Sequence, residues 1–342
     1  MLRQLLLLQE MNNKALLFFI AFSLLLFGFH KSALTTYSAS RKTSIVANGN
    51  DSLKIELGRI LFYDPQFSAD LQTSCASCHS SYHAFAHTDH ALSHGNFDSL
   101  GNRNAPGLFN LQFRKIFMRD GAVHRLDLQA LAPLHSPLEM GSQIDSALQI
   151  INHNQDYRSA CFDAWGDSLM SVTTFLKSLE YFETSLISMN AYWDKVQNGS
   201  QKFSSMQKAG EMVFVQLCQS CHAPPLFQDE KFHRIWDNTQ TSDLGRYNIT
   251  HDPKDRYAFM TPSLRNLDFT YPYAHDGRYE HLRICLENHL IPQLNSKKAL
   301  KEIIEEKEIT ELIAFLHTLN DTAFVLNKQH QFPRNSFLLK TK

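Results

Sequence analysis

The sequence predicts a mainly α-helical protein of two domains with long loops. Two helical apolar patterns each lead to a Cys-x-x-Cys-His motif, which indicates an internal duplication. No long alternating pattern, of the kind that strands produce, accompanies them. The 342 residues, 43% of them hydrophobic and 20% charged, are enough for two ordinary cores. The formal net charge of −1 provides no basic field, so no nucleic-acid partner is expected.

The two Cys-x-x-Cys-His motifs carry the chemistry. This spacing is typical of covalent attachment of haem c, in which two thiols add to the porphyrin and the next His reaches the iron. A zinc site would need four compact ligands, and a thioredoxin-type pair would not need the His in both copies. Each domain is therefore predicted to be cytochrome c-like, around one covalent haem. The predicted attachment residues are Cys75, Cys78, Cys218 and Cys221, and the predicted proximal iron ligands are His79 and His222.

An uncharged apolar run near the N-terminus predicts export. It extends from Ala15 to Phe29, which is the length of a signal-peptide core and shorter than the roughly 20 residues of a spanning helix. An uncleaved anchor is the alternative, because no clear cleavage site follows. Residues 1–35 are therefore predicted to be a signal peptide or N-terminal anchor, residues 36–52 a polar linker, and the location the periplasm.

The remaining segments follow in order. Residues 53–195 form the predicted N-terminal domain and residues 203–325 the C-terminal one, with a boundary at 192–204 and a tail at 326–342.

Cys161 and Cys285 lie outside the motifs and are interpreted as buried apolar fillers, a disulfide being the alternative. The Lys/Glu run of the last helix is interpreted as a solvated face. Helices are predicted at Asp51–Phe62, Asp145–His153, Asp167–Leu186, Ser205–Leu217 and Lys297–Leu319.

Several longer motifs occur between residues 53 and 319. They are Leu57-Gly-Arg-Ile-Leu-Phe-Tyr-Asp-Pro65, Arg103-Asn-Ala-Pro106, Gln129 with Pro137-Leu-Glu-Met140, Pro225-Leu-Phe-Gln-Asp229, Asp243-Leu-Gly-Arg246, and Thr261-Pro-Ser-Leu-Arg-Asn266 followed by Tyr273-Ala-His-Asp-Gly277. On these motifs the sequence resembles the bacterial di-haem cytochrome c peroxidases and their MauG-like relatives, which oxidise a protein substrate. Simple electron-carrying cytochromes share only the haem motif.

The resemblance implies different roles for the two haems. The N-terminal haem meets hydrogen peroxide, and the C-terminal haem passes electrons to it. Glu139 occupies the place of the acid/base group, because a carboxylate beside the iron can take a proton from one peroxide oxygen and return it to the other. Gln129 matches the amide that accompanies this group. Taken alone, Glu139 would be interpreted as a surface residue.

The resemblance also implies a calcium ion between the haems and arginines at the haem propionates. Asn104, Thr270 and Pro272 occupy the places of the calcium ligands, and oxygen ligands suit calcium. Taken alone, Asn104 is equally well explained as capping a turn. Arg246 and Arg265 resemble the propionate partners, for which the guanidinium fork is suited.

Two departures concern the iron ligands. Asn96 stands where many relatives have a distal His that caps the peroxidatic iron, so the site is predicted to be open without prior reduction. The alternative caps are three loop residues, His87, His90 and His94. At the C-terminal haem the family's sixth ligand falls on His289, with Met260 as the alternative. A bis-His haem should have a lower potential than a His/Met haem.

A third departure concerns electron transfer. Arg119 stands where the family has a Trp between the haems, and an Arg cannot relay oxidising equivalents. Direct haem–haem transfer, or Tyr271 and Tyr273, would have to serve instead.

The resulting functional prediction is a di-haem peroxidase that reduces hydrogen peroxide to water. Its electrons would come from a small cytochrome c or cupredoxin, and a homodimer would fit the family. A MauG-like oxidase of a protein substrate is the first alternative. A non-enzymatic electron carrier is the second, but such a carrier would not need Glu139 and Gln129.

Overall fold

Helices dominate the computed structural model, which describes residues 49–234, 242–293 and 304–334. Two antiparallel two-residue strands are β1 (Phe232–His233) and β2 (Phe259–Met260). The described residues belong to one compact unit. The helices are α1 (Gly49–Tyr63), α2 (Cys75–Cys78), α3 (Leu126–Gln129), α4 (Leu131–His135), α5 (Ile144–His153), α6 (Gln155–Trp165), α7 (Val172–Ser185), α8 (Tyr192–Gln197), α9 (Ser205–Leu217), α10 (Tyr247–Thr250), α11 (Leu282–Gln293), α12 (Glu306–Leu316) and α13 (Thr322–Val325).

The N-terminal lobe is built on a crossing of α1 with α7. The apolar side chains of α1 recur at helical spacing and are buried, as Leu57 and Leu61 show. The helix ends before Asp64-Pro65, where the Asp64 carboxylate accepts the backbone N–H of Gln66 and starts a new turn. Each fully buried side chain of this core contributes about 1.5–3 kcal/mol. The core of this lobe therefore packs the first haem motif together with α7, which begins more than 90 residues later in the chain.

The C-terminal lobe repeats this crossing with α9 and α12. Ser204 caps the N-terminus of α9, and its hydroxyl accepts the backbone N–H of Gln207 in a capping box. Its buried residues Val213 and Phe214 pack in one cluster with Leu312 and Phe315 of α12. The predicted helix at Ser205–Leu217 is thus confirmed.

A glycine lies at the centre of each crossing. A Cβ built on Gly58 would be 1.9 Å from the carbonyl oxygen of Ser178, and one on Gly210 would be 1.8 Å from that of Glu311. Beyond that carbonyl group, the nearest atom is in both cases the Cβ of the phenylalanine four residues after it, Phe182 or Phe315, at 3.0 and 2.9 Å. The duplication predicted for the first helix and its motif therefore extends to the second helix of each lobe.

Replacing Gly210 by Ala is expected to lower the free energy of unfolding by about 1–3 kcal/mol, because the methyl group would force the two helices apart. Denaturant unfolding of the haem-loaded protein measures this loss. Gly101→Ala is the matched control, since a Cβ there meets nothing within 4 Å. Equal stability of the two variants would contradict the close crossing.

The lobes do not follow the predicted domain limits at every point. Trp193 lies within the predicted N-terminal range but packs against Phe227 of the C-terminal core, with ring centroids 5.0 Å apart. Conversely, Phe324 belongs to the N-terminal core and contacts Phe85. Residues 326–334 of the predicted tail return to the same lobe, where the Tyr63 hydroxyl donates to the His330 carbonyl.

The predicted export segment lies outside the described residues. Among the residues that are described, no helix has the length and apolar character needed to cross a membrane. Residues 297–303 of the predicted last helix also lie outside them, and the described part of that helix begins at Glu306. Cys161 is fully buried in the N-terminal core, as predicted for an apolar filler.

Candidate active site

A cavity of about 490 Å³ lies between the two Cys-x-x-Cys-His motifs and is lined by both. Side chains from both lobes reach it, so the duplicated halves share one interior space. Of the residues predicted from the sequence, the cavity brings together Cys78, His79, Asn104, Gln129, Glu139, Cys218, Cys221, His222, Thr270 and His289.

The two motif histidines are held in the same way. The Nδ1 atom of His79 lies 2.7 Å from the carbonyl oxygen of Phe85, and that of His222 lies 3.1 Å from the carbonyl of Phe227. Both phenylalanines adopt the left-handed conformation, with φ of 59° and 55°, which is rare for a residue with a side chain. Burial lowers the pKa of both histidines. Each ring is therefore neutral, with Nδ1 donating to the backbone and Nε2 ready to bind a metal.

The remaining lining of the cavity also fits a haem. Among the described residues, Arg114 Nε and both ring nitrogens of His275 are buried without a hydrogen-bond partner, and both residues face the cavity. Buried donors of this kind are costly unless a ligand satisfies them. Haem propionates are suitable acceptors. In the sequence, His275 stands out only as a member of the Tyr273-Ala-His-Asp-Gly277 motif, and Arg114 belongs to no motif, so neither is predicted to face the site.

Glu139 lies in the cavity wall on the N-terminal side, together with Gln129 at the end of α3. Glu139 is an exposed residue at this wall, and partial desolvation by the surrounding protein raises the pKa of its carboxylate above the ordinary value of a glutamate. The amide nitrogen of Gln129 lies 3.4 Å from the sulfur of Met118. The structure thus places the predicted acid/base group and its amide beside the first motif.

The loop in which many relatives have a distal His contains Asn96 here, and it is hydrogen-bonded to the turn that carries Glu139. Asn96 is buried, and its amide nitrogen donates to the carbonyls of Pro137 and Glu139 at 2.9 and 3.1 Å. Its backbone N–H donates to the Glu139 carbonyl at 2.6 Å. The three loop histidines contact one another in a row outside the cavity lining. This geometry favours the predicted open site.

At the second motif, His289 of α11 faces His222, with ring centroids 6.1 Å apart. This separation would leave room for a metal bound by one nitrogen of each ring, at about 2 Å from each. Burial, and then the neighbouring His222, lower the pKa of His289 to about 4, so its ring is neutral. The sulfur of Met260, the alternative ligand, accepts a hydrogen bond from Arg114 at 2.8 Å. The geometry therefore favours His289.

The predicted propionate arginines lie elsewhere. Arg265 is fully buried, and its guanidinium forms a bidentate pair with Asp194 and donates to the Pro225 carbonyl. Arg246 stacks on the ring of Phe232. Neither lines the cavity, so the structure does not support this role for them, and their own partners occupy the guanidinium groups.

Three other arginines line the cavity, namely Arg103, Arg114 and Arg119. Arg103 forms a bidentate pair with Asp243 of the C-terminal lobe and also contacts Asp120. The sequence alone could not predict this ion pair, because Arg103 and Asp243 are 140 residues apart and meet only in the folded protein. The lobes are thus joined by the Arg103–Asp243 ion pair at the edge of the site.

The predicted calcium ligands are only partly assembled. Asn104 is buried and Thr270 lines the cavity, whereas Pro272 is buried outside its lining. Both oxygens of Asn104, the backbone and the side-chain one, face the Arg119 guanidinium at 3.2 and 3.4 Å. These contacts do not fit an oxygen that ligates calcium.

Comparison with known proteins identifies the family. A family model described as di-haem cytochrome c peroxidase matches residues 52–202. The methylamine utilization protein MauG of Methylorubrum extorquens is 30% identical over 278 residues, which are 78% of this chain and 78% of that protein. The chain belongs to the di-haem cytochrome c peroxidase family. A second member of the family, the cytochrome c551 peroxidase of Nitrosomonas europaea, is 28% identical over 271 residues, 77% of this chain and 79% of the relative.

A solved structure agrees with the fold of a di-haem cytochrome c peroxidase. It is a MauG-like protein associated with microbial copper homeostasis, with a TM-score of 0.73 and 25% identity over 82% of this chain and 93% of that one. The mainly helical fold predicted from the sequence is confirmed. Membership of this family implies haem c cofactors and an oxidoreductase activity.

Proposed function

We propose that the protein is a periplasmic di-haem peroxidase that reduces hydrogen peroxide to water with electrons from a small cytochrome c or cupredoxin. One observation carries the proposal: Glu139 and Gln129 line the same cavity as His79. An electron carrier would need neither side chain. The reaction consumes one peroxide, two electrons and two protons and yields two water molecules.

The residues at the first motif support the proton chemistry. Cys75, Cys78 and His79 would hold a haem, which would supply the redox chemistry of peroxide reduction when bound. The Glu139 carboxylate takes the proton of the inner oxygen and delivers it to the outer one, which leaves as water. The Gln129 amide, with both a donor and an acceptor, orients the peroxide for this transfer.

The residues at the second motif support electron entry. Cys218 and Cys221 would attach a haem that both His222 and His289 would hold, so this site would not bind peroxide. Such a closed site transfers single electrons. Export through residues 1–35 would deliver the chain to the compartment where haem c is attached and where small redox proteins reside.

The experiment is steady-state turnover of the haem-loaded protein with peroxide and a reduced small cytochrome c or cupredoxin. We expect donor oxidation at two electrons per peroxide, and no turnover by Cys75→Ala/Cys78→Ala, which lacks the first haem. A wild-type protein that carries both haems and does not turn over with either class of donor would contradict the proposal.

A MauG-like oxidation of a protein substrate is the second candidate, favoured by the 30% identity to a MauG protein. It uses the same first-motif residues. Peroxide consumption that requires a protein partner and no external donor would identify the second candidate.

A further inference from the structure

Arg119 brings a positive charge to the boundary between the two lobes. Its backbone carbonyl accepts the N–H of Met260 from the C-terminal lobe at 2.8 Å. Its side chain lines the cavity and points to Asn104, the residue in the place of the calcium ligand. The guanidinium therefore lies where the N-terminal and C-terminal segments meet.

Asn104 is oriented by two hydrogen bonds that leave its oxygens toward Arg119. Its backbone N–H donates to the His275 carbonyl at 2.8 Å, and its amide nitrogen donates to the Ala91 carbonyl at 3.0 Å. With both nitrogens fixed in this way, the backbone and side-chain oxygens face one guanidinium, at 3.2 Å from Nε and 3.4 Å from a terminal nitrogen. The two oxygens of Asn104 thus both accept hydrogen bonds from the Arg119 guanidinium, a cation that belongs to the chain itself.

A calcium ion and this guanidinium exclude each other at Asn104. Calcium needs six to eight oxygens at about 2.3–2.6 Å, with their lone pairs directed at the ion. Here the lone pairs of Asn104 accept N–H groups, and a second cation would be repelled by the first. Burial lowers the pKa of Arg119 to about 10, which still leaves it protonated at neutral pH. Arg103 and Arg114 add charge of the same sign, and Asp276 and Asp243 oppose it.

We propose that the Arg119 guanidinium replaces the calcium ion between the lobes, so that this protein assembles its haem sites without calcium. The cation is covalently part of the chain: the guanidinium contacts Asn104, and the backbone carbonyl of the same arginine accepts the N–H of Met260 in the other lobe. This inference does not depend on peroxidase activity, because it concerns the metal content of the folded protein.

The first test is the calcium content of the wild-type haem-loaded protein, measured by elemental analysis after incubation with calcium and gel filtration into calcium-free buffer. We expect calcium well below one ion per chain. We also expect the visible spectrum to be the same before and after treatment with EGTA. One calcium per chain, or a spectral change on chelation, would overturn the proposal.

The second test asks whether Arg119 is what excludes the ion. In Arg119→Met the Asn104 oxygens lose their donor, so titration with calcium chloride is expected to show one binding site that the wild type lacks. Arg114→Met is the matched control: Arg114 is also a buried arginine of the cavity, but it contacts Met260 and not Asn104. An Arg119→Met protein that carries both haems and binds no calcium would overturn the replacement. If that variant does not fold, the wild-type measurement still decides.

Discussion

Glu139→Gln is expected to lower peroxide turnover by about 10²–10⁴-fold, the usual contribution of a positioned acid/base group. The amide keeps the shape of the side chain but can neither take nor return a proton. Both haems and the folded structure should remain, because Glu139 lines the cavity and is not part of either hydrophobic core. Steady-state turnover and haem content measure the two expectations.

The matched control is Glu280→Gln, an exposed glutamate outside the cavity lining. Its turnover should equal that of the wild type. Normal turnover of Glu139→Gln would rule out the proposed proton transfer, whereas an equal loss in both variants would point to a general effect of charge.

The pH dependence of peroxide turnover provides a second test of Glu139→Gln. Glu139 acts first as a base, so turnover should fall as the pH drops and the carboxylate becomes protonated. Because desolvation raises its pKa, this fall should lie at a higher pH than for an ordinary glutamate. The acid limb should be missing from the residual activity of Glu139→Gln.

Asn96 should be a positioning residue for Glu139. Removing its two side-chain hydrogen bonds in Asn96→Ala frees the turn that carries the carboxylate, and a displacement of about 1 Å can cost on the order of 100-fold in rate. The haem content should not change. An unaltered rate and pH profile would show that the turn holds its shape without Asn96.

His289→Ala is expected to remove the low-spin signal of one of the two haems, because the second iron would lose an axial ligand. Donor-dependent turnover should fall with it, since electrons enter at that haem in the proposed scheme. His289→Met should restore a low-spin site with a raised potential, because Met ligation raises the potential of a haem. Visible and electron paramagnetic resonance spectra, with a redox titration, measure these changes.

Met260→Leu is the control for this ligand. The Met260 sulfur is already hydrogen-bonded to Arg114, so its removal should leave the low-spin spectrum unchanged. The reverse result, with the signal lost in Met260→Leu and kept in His289→Ala, would transfer the ligand role to Met260.

Helices α1 and α9, which precede the two haem motifs, could be predicted because in each the apolar residues recur at helical spacing and the end of the helix is clearly marked. Helix α7 was predicted to start at Asp167 but starts at Val172, since Gly166 ends α6 in the left-handed conformation and Ser171 caps the next helix. Helix α6 was missed because most of its face is polar. Only Tyr157, Cys161 and Ala164 are buried on it, and their spacing was the available signal.

The candidate site was predictable where a motif fixes a short segment, as for Glu139 and the motif histidines. It was not predictable where distant segments meet. The contact of Asn96 with Pro137 spans 41 residues, and that of Arg103 with Asp243 spans 140. Arg246 and Arg265 have the residue type that suits a propionate, but Arg265 is paired with Asp194 and Arg246 lies on an aromatic ring, and no local pattern records this.

The return of the chain to its first lobe constrains the order of assembly. Phe324 and His330 complete the surroundings of Phe85, whose carbonyl holds the first motif's histidine. The ribosome makes these residues after the whole second lobe. The first haem site can therefore reach its final packing only after the second lobe has been synthesised, so the two repeats are copies of one unit in sequence but not independent units of folding.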